Sequence, residues 1–323
     1  MTLFSRLFRP ITKIAIIPPP AAPNRGGIAI VLIVRNEARH IAEWARFHHD
    51  AGVAQFIVYD NACSDGTIEV LRASLPVAAL TVIPWAQPRF RTIMGREIHN
   101  QVLAYAHALM NFGPLFRWMA FIDVDEFLVP VAANSIPQAM EGLDEAAHVS
   151  LPWQMFGRGG HDTPPEGGVV ANYVQRAADP FGLTHGLNFK CLVDPARVTE
   201  VGVHGFAIDG RHEGVNDAGQ PAAHADRTKR AFSSRVRLQL NHYYTRSNAE
   251  LQAKIGRGSN KSVQADKHIA RVMRIVTAIE AETVEDRTAI AFLARSQPQR
   301  SKAAPAGISF FSLGPPCVKG QRP

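Results

Sequence analysis

Residues 118–130 read WMAFIDVDEFLVP. The run is apolar and strand-like except for Asp123, Asp125 and Glu126. Burying an unpaired carboxylate costs several kcal/mol, so this acidic interruption must meet a partner. Two aspartates spaced i, i+2 point to one face of an ideal strand. At a strand end they can instead bracket one ion. A hard divalent cation such as Mg2+ or Mn2+ takes oxygen ligands, retains waters and accepts phosphate oxygens. It would also remove the repulsion that otherwise protonates one carboxyl group. The plain alternative is a solvated turn, or acids that cap neighbouring helices.

Upstream of this segment the pattern alternates. Ile28 to Val34 (IAIVLIV) is uniformly apolar and β-branched, the signature of a buried parallel strand. RHIAEWARFHHDAG follows as a helix, with Ile41, Trp44, Ala45 and Phe47/His48 inward and Gly52 at its end. AQFIVYD is a second strand, and NACSDGT is a loop in which Thr67 is expected to cap the helix IEVLRASL. LTVIPW is a third strand. REIHNQVLAYAHALMN is a helix with Ile98, Val102, Tyr105 and Leu109 on one stripe. WMAFIDVDEFLV is the fourth strand. The order β-α-β-α-β-α-β implies a parallel sheet with right-handed crossovers. Ligands of such sheets bind beyond the carboxyl ends of the strands. Three polar clusters fall there: Arg35-Asn36-Glu37, Asp60-Asn61 and Asp123-x-Asp125-Glu126.

After Pro130 the alternation is lost. Ser135 is placed to cap a short helix, IPQAMEGL. HVSLPWQMFG, NFKCLVDP, VGVHGFAI and RVRLQLNHYYT read as strands, and RGGHDTPPEGG as a long polar loop. In the last of these strands Val236, Leu238, Leu240, His242 and Tyr244 share a face. Two helices, about 249–254 and 265–282, close the domain.

Composition sets wider bounds. The 323 residues are 46% hydrophobic and 20% charged, ordinary for a chain with a full core. The net charge of +7 suits anionic partners such as nucleotide phosphates. Neither an RNA-module aromatic signature nor a Cys/His finger spacing accompanies it, so nucleic acid is not an expected partner. Cys63, Cys191 and Cys317 are odd in number and widely spaced, which indicates neither a disulfide framework nor a zinc site. The chain is expected in the cytoplasm. Its basic, apolar N-terminus, ending in PPPAAP, is read as a flexible leader with a peripheral membrane contact as the alternative.

Several single residues are candidates. Asp60 ends the second strand, where a carboxylate can accept from a ribose hydroxyl or a base; an Asx-turn fits Asp65-Gly66 better. Asn36 and Glu37 either contact nucleotide or cap the following helix. His48 and His49 read as structural. His161, His204 and His242 are less ordinary, and a neutral imidazole can supply a metal's further protein ligand. His242 is favoured for that role, with His204 its rival. Lys190 and Arg257 are candidates to neutralise phosphate charge.

These strings, in this order and covering roughly residues 28–260, resemble the glycosyltransferases of family 92 and their bacterial, family-2-like relatives. The matching pieces are VRNEARHIAEWARFHHDAGVAQFIVYDNACSDGT, WMAFIDVDEFLVP, WQMFGRGGH, FKCLVDP, VHGF and LNHYYTRSNAELQAKIGRG. The resemblance implies an α/β fold of GT-A type: a Rossmann-like, mostly parallel central sheet flanked by helices, with a mixed acceptor-side half. It divides the chain into a leader (1–27), a catalytic domain (28–295, with halves 28–130 and 131–295) and a loose tail (296–323). It implies a UDP-sugar or similar donor, a divalent metal (commonly Mn2+) and inversion at the anomeric carbon. Carried over, Arg35, Asn36 and Glu37 match the first nucleotide motif, and Asp60, Asn61, Ser64 and Asp65 the second. Asp123 and Asp125 match the metal-binding Asp-x-Asp, with Glu126 beside it. Trp153, Phe156, Gly157 and His161 match the segment near donor sugar and acceptor. Asn241, His242 and Tyr243 match the late strand motif. Ala62-Cys63 departs from the usual polar loop, and 209–230 match nothing.

The expected chemistry follows. Asp125 and His242, with Asp123 directly or through water, hold a cation that bridges the donor diphosphate, as Lewis-acid catalysis requires. A base takes the acceptor proton, and His161 and Asp162 are the candidates, Glu213 a weaker one. The acceptor is a glycan or glycolipid hydroxyl. Two rivals remain: an Asp-dependent phosphotransferase, and a non-catalytic nucleotide- or carbohydrate-binding protein on the same scaffold.

Overall fold

The computed structural model describes residues 10–86, 90–93, 95–183, 187–256 and 265–296. Within them the strands are β1 (Lys13–Ala15), β2 (Ile28–Val34), β3 (Gln55–Asp60), β4 (Leu80–Pro84), β5 (Phe90–Arg91), β6 (Glu97–Ile98), β7 (Trp118–Phe121), β8 (Glu126–Pro130), β9 (His148–Met155), β10 (Gln175–Ala177), β11 (Phe189–Val193), β12 (Val198–Gly202), β13 (Phe206–Ile208), β14 (Gly214–Val215), β15 (Pro221–Ala222), β16 (Leu238–His242) and β17 (Thr283–Glu285). The helices are α1 (Ala38–Asp50), α2 (Thr67–Ser74), α3 (Asn100–Phe112), α4 (Ile136–Met140), α5 (Val169–Asn172), α6 (Asn248–Gly256), α7 (Ala265–Ala281) and α8 (Thr288–Ser296).

The large sheet is mixed α/β in setting, ordered β15-β14-β9-β11-β7-β2-β3-β4, with β16 joining β9 to β8. Strands β4, β3, β2 and β7 are parallel. Beyond β7 the sheet turns mixed: β11 runs antiparallel to β7 and β9, while β14 and β16 are parallel to β9. The uniform apolarity of β2 has a direct cause. Ile28, Ile30, Leu32 and Val34 enter one core with Trp44 and Phe47 of α1, while Ala29 and Val31 enter another with Tyr105 and Leu109 of α3. A strand covered on both faces has no reason to alternate. Because β2, β3 and β7 share one direction, Val34, Asp60 and Phe121 end at the same edge.

Several expectations are corrected. The fourth strand is broken: β7 stays in the large sheet, residues 122–125 turn, and β8 pairs with β16. The turn is closed by two bonds, Glu126 N–H to the Asp123 carbonyl (3.0 Å) and Asp123 N–H to Glu126 Oε2 (2.7 Å). VGVHGFAI is two strands, β12 and β13, and Val236 lies outside β16 and is exposed. Thr67 is not the cap of α2. Gly66 precedes the helix at φ 85°, and the Thr67 hydroxyl donates to Asp65 and accepts from the Glu37 N–H. Ser135 does cap α4, accepting from Gln138 N–H. Ile98 belongs to β6 and not to α3.

The chain ends also differ from the expectation. Residues 10–27 are not all loose: β1 pairs antiparallel with β12, and Ile14 and Ile16 pack on the second core. A third closing helix, α8, buries Phe292 with its ring centroid 5.3 Å from that of Phe47. Residues 1–9, Arg257, Cys317 and the tail from 297 lie outside the described residues. No helix among the described residues is long and apolar enough to cross a membrane.

Candidate active site

The strand edge carries a cleft of about 420 Å³, walled by Arg35 and Glu37 after β2, Asp123 and Asp125 after β7, Trp153 on β9, His204 between β12 and β13, His242 at the end of β16, and Lys254 on α6. Its first wall is made rigid by the two loops that follow β2 and β3. Asn36 sits at φ 55° and its side-chain oxygen accepts from Ser64 N–H (2.8 Å). Asp65 accepts from Ala38 N–H at the start of α1. Asp60 accepts from Cys63 N–H at 2.8 Å, so it shapes its loop as Asp65 does. Asn61 meets Asn100 at 3.4 Å. Of the expected nucleotide-side residues, Arg35, Glu37 and Asp123 therefore line the cleft, whereas Asn36, Asp60, Asn61 and Asp65 are tied up building the loops beside it.

The two aspartates have different partners. Asp123 accepts from Lys190 Nζ (2.8 Å) and from Gln101 Nε2 (3.1 Å). Lys190 is buried, 3.5 Å from the wholly buried Glu126. Burial lowers the Lys190 pKa, but Asp123 and Glu126 outweigh it and hold the ammonium well above its ordinary range. Burial pushes Glu126 up to about 8 against the pull of Lys190, with Asp123 and Asp125 adding to the rise. Lys190 thus pairs with the protein's own acids.

Asp125 lines the same cleft with other partners. Its Oδ2 lies 3.5 Å from His242 Nε2 and 3.3 Å from Lys254 Nζ. Burial alone would raise its pKa; Lys254 and His242 reverse that and hold it well below the carboxylate range. Burial lowers His242, which keeps the imidazole neutral despite Asp125. Behind these groups, Arg246, at φ 51°, reaches across to Glu37 at 3.1 Å and ties the segment after β16 to the loop after β2.

Asp125 and His242 are the side chains in the cleft that could serve a divalent cation of the kind that takes few protein ligands and fills its shell from substrate and water. Among the described residues no group of three or more His, Cys, Asp or Glu is arranged to hold a metal. Asp125 and His242 do face each other across the cleft, and the buried His242 Nδ1 has no hydrogen-bond partner, which leaves Nε2 the nitrogen aimed at the carboxylate. His204, the rival, is lowered to about 4 by burial and by Lys190, and its ring stacks edge-on to Trp153 with centroids 5.6 Å apart.

His161 and Asp162 are placed elsewhere. They line a second cleft of about 480 Å³ with Arg158, Gln175, Asn248 and Glu280. Arg158 is fixed by Glu280 at 2.5 Å, and the backbone carbonyls of His161 and Asp162 accept from Asn248 and Ala249 at the start of α6. Trp153 of the first cleft and Gly157 of the second are four residues apart, so their Cα atoms are separated by at most about 14 Å. Glu213 lines neither cleft. Lys254, Gln101 and Arg246 were not singled out from the sequence; only their place in the late LNHYYTRSNAELQAKIGRG string hinted at two of them.

Comparison with known proteins bears on this arrangement. The chain is 26% identical over 156 residues to a glycosyltransferase family 92 protein of Oryza sativa subsp. japonica, covering 47% of this chain and 25% of that protein. It is 26% identical over 160 residues to a family 92 protein of Ricinus communis, covering 47% and 27%. It is 27% identical over 117 residues to a galactan beta-1,4-galactosyltransferase of Arabidopsis thaliana, covering 35% and 22%. The matched part spans about a quarter of these relatives' length. The family model described as Glycosyltransferase family 92 matches residues 29–272, from β2 into the first half of α7, and the chain belongs to that family.

Proposed function

We propose that this chain transfers a glycosyl group from a nucleotide-sugar, with UDP-sugars the leading donors, to a hydroxyl of a glycan or glycolipid, on a GT-A-type scaffold. The observation that carries the reading is the meeting of Asp125, His242 and Lys254 in one cleft beyond the carboxyl ends of parallel strands, in a member of this family. Ligands of such sheets sit at that edge. The galactosyltransferase named among the relatives supports the reaction class.

A divalent cation, Mn2+ or Mg2+, would be held by Asp125 and His242, with Asp123 assisting directly or through water, and would offset the charge that builds on the leaving diphosphate. Asp123 is kept in place for this by Lys190 and Gln101. Arg35 stands exposed at the cleft and can meet the donor's phosphates or base. The acceptor hydroxyl attacks the anomeric carbon from the face opposite the diphosphate, which inverts that carbon. Its proton goes to a base within hydrogen-bond reach; His161 and Asp162 take that role on a substrate that spans the two clefts. The same reading puts the reaction on the cytoplasmic side, with peripheral membrane contact where the acceptor is a lipid.

The test is a donor screen read by nucleotide release, with UDP-, GDP- and dTDP-sugars and Mn2+ present or chelated. Release from one donor, lost on chelation, is expected. No release from any donor, with or without candidate acceptors, contradicts the reading.

A further inference from the structure

The cleft holds two lysines in unlike states. Lys190 is 2% exposed and committed to two acids, Asp123 and Glu126. Lys254 is a third exposed, and its ammonium lies 3.3 Å from Asp125 Oδ2, 2.9 Å from the Tyr244 carbonyl and 4.0 Å from the centre of the Tyr244 ring. It sits in the last turn of α6, where a cation also suits the helix dipole, and Leu251 anchors that helix in the core.

Asp125 Oδ2 is the same oxygen that faces His242 Nε2. A divalent cation taking both as ligands would meet the Lys254 ammonium head-on. Like charges at that separation repel strongly in a partly buried cleft. Lysine is a compact charge on a flexible four-carbon stem, and the Tyr244 carbonyl and ring keep it at the cleft wall once it leaves Asp125.

We propose that Lys254 stands in for the cation at Asp125 in the free protein and turns to the anionic oxygens of the donor's diphosphate when donor and metal enter. This rests on the donor-binding reading above and adds a residue and an exchange to it. Lys254 has two effects of opposite sign. It weakens binding of metal alone, because it must be displaced. It strengthens binding of nucleoside diphosphate, because its ammonium gains a charge-assisted bond.

The test uses the full chain and its Lys254→Ala and Lys254→Arg variants. Mn2+ alone is titrated by the electron paramagnetic resonance signal of free Mn2+. UDP is then titrated by calorimetry at saturating Mn2+. Thermal melts check folding, and Lys254→Met, which keeps the stem over Tyr244, takes the place of alanine should that variant fail to fold. Lys254→Ala is expected to bind Mn2+ several-fold more tightly and UDP roughly tenfold more weakly, with arginine keeping most of the UDP affinity. A folded Lys254→Ala protein with both affinities unchanged overturns the Lys254 role and leaves the donor site standing. A wild-type chain that binds neither Mn2+ nor UDP overturns the donor reading, and the Lys254 role with it.

Discussion

Lys190 Nζ lies 2.8 Å from Asp123 Oδ2, and this ion pair is what lets an acidic turn interrupt an apolar strand. The lysine comes from β11, a neighbour of β7 in the sheet, so the turn and its counter-charge are built by two adjacent strands. Removing it leaves Glu126 buried beside Asp123 without a cation. Lys190→Met should cost about 1–3 kcal/mol of folding stability. Urea unfolding measures it. Adding Glu126→Gln should restore a good part of the loss, and a single-variant loss below about 1 kcal/mol contradicts the account.

The Asp125 carboxylate pairs with His242 and Lys254 in the cleft, and the proposed reading makes it a metal ligand. Asp125→Ala should abolish metal-dependent turnover while the melting temperature stays within a few degrees of wild type. Circular dichroism and nucleotide release read the two quantities from one preparation. Turnover that survives both the substitution and chelation speaks against a cation at this carboxylate.

His48 gives a pH prediction. It is wholly buried, its Nδ1–H donates to the Trp44 carbonyl at 2.8 Å, and its Nε2 accepts from Leu128 N–H at 3.0 Å. The bond accepted by Nε2 requires the neutral ring, whereas the Nδ1–H bond survives protonation. Burial lowers its pKa to about 3, although the bond to Trp44 opposes this. The folded value is below the unfolded one, so the stability from this group is fully present above about pH 6.5 and is lost as pH falls toward 3. The loss approaches ~1.4 kcal/mol per pH unit within that window. Denaturant unfolding from pH 7.5 to 5 should show a steeper decline for wild type than for His48→Gln. Parallel curves contradict the assignment.

If the acceptor base lies in the second cleft, as proposed, donor binding and transfer are separable. His161→Ala and Asp162→Asn should lower transfer to acceptor while UDP affinity stays within about twofold, since neither residue lines the Asp125 cleft. A comparable fall in UDP affinity would place them on the donor instead.

How much the sequence disclosed depends on what kind of signal each feature leaves. The parallel strands were legible because burial on both faces writes unbroken apolar runs, as in Ile28–Val34. The edge where Arg35, Asp60 and Asp123 gather followed from strand direction alone. The break between β7 and β8 was hidden because Phe121, Ile122 and Val124 are apolar whether they sit in a strand or a turn; only the Asp123–Glu126 bonds distinguish the two. The acids that Lys190 pairs with left no local mark in the sequence because they lie 67 and 64 residues away. Lys254 left only its place in the late LNHYYTRSNAELQAKIGRG string as a signal, being one cation on a short helix, and its meaning comes from Asp125 and Tyr244 beside it.

The most direct measurement is a crystal structure of the chain with UDP and Mn2+. The account predicts an anomalous manganese signal at coordination distance from Asp125 and His242, the diphosphate against it, and Lys254 turned from Asp125 to a phosphate oxygen. Nucleotide lodged in another part of the molecule, with Asp125 still paired to Lys254, would contradict it.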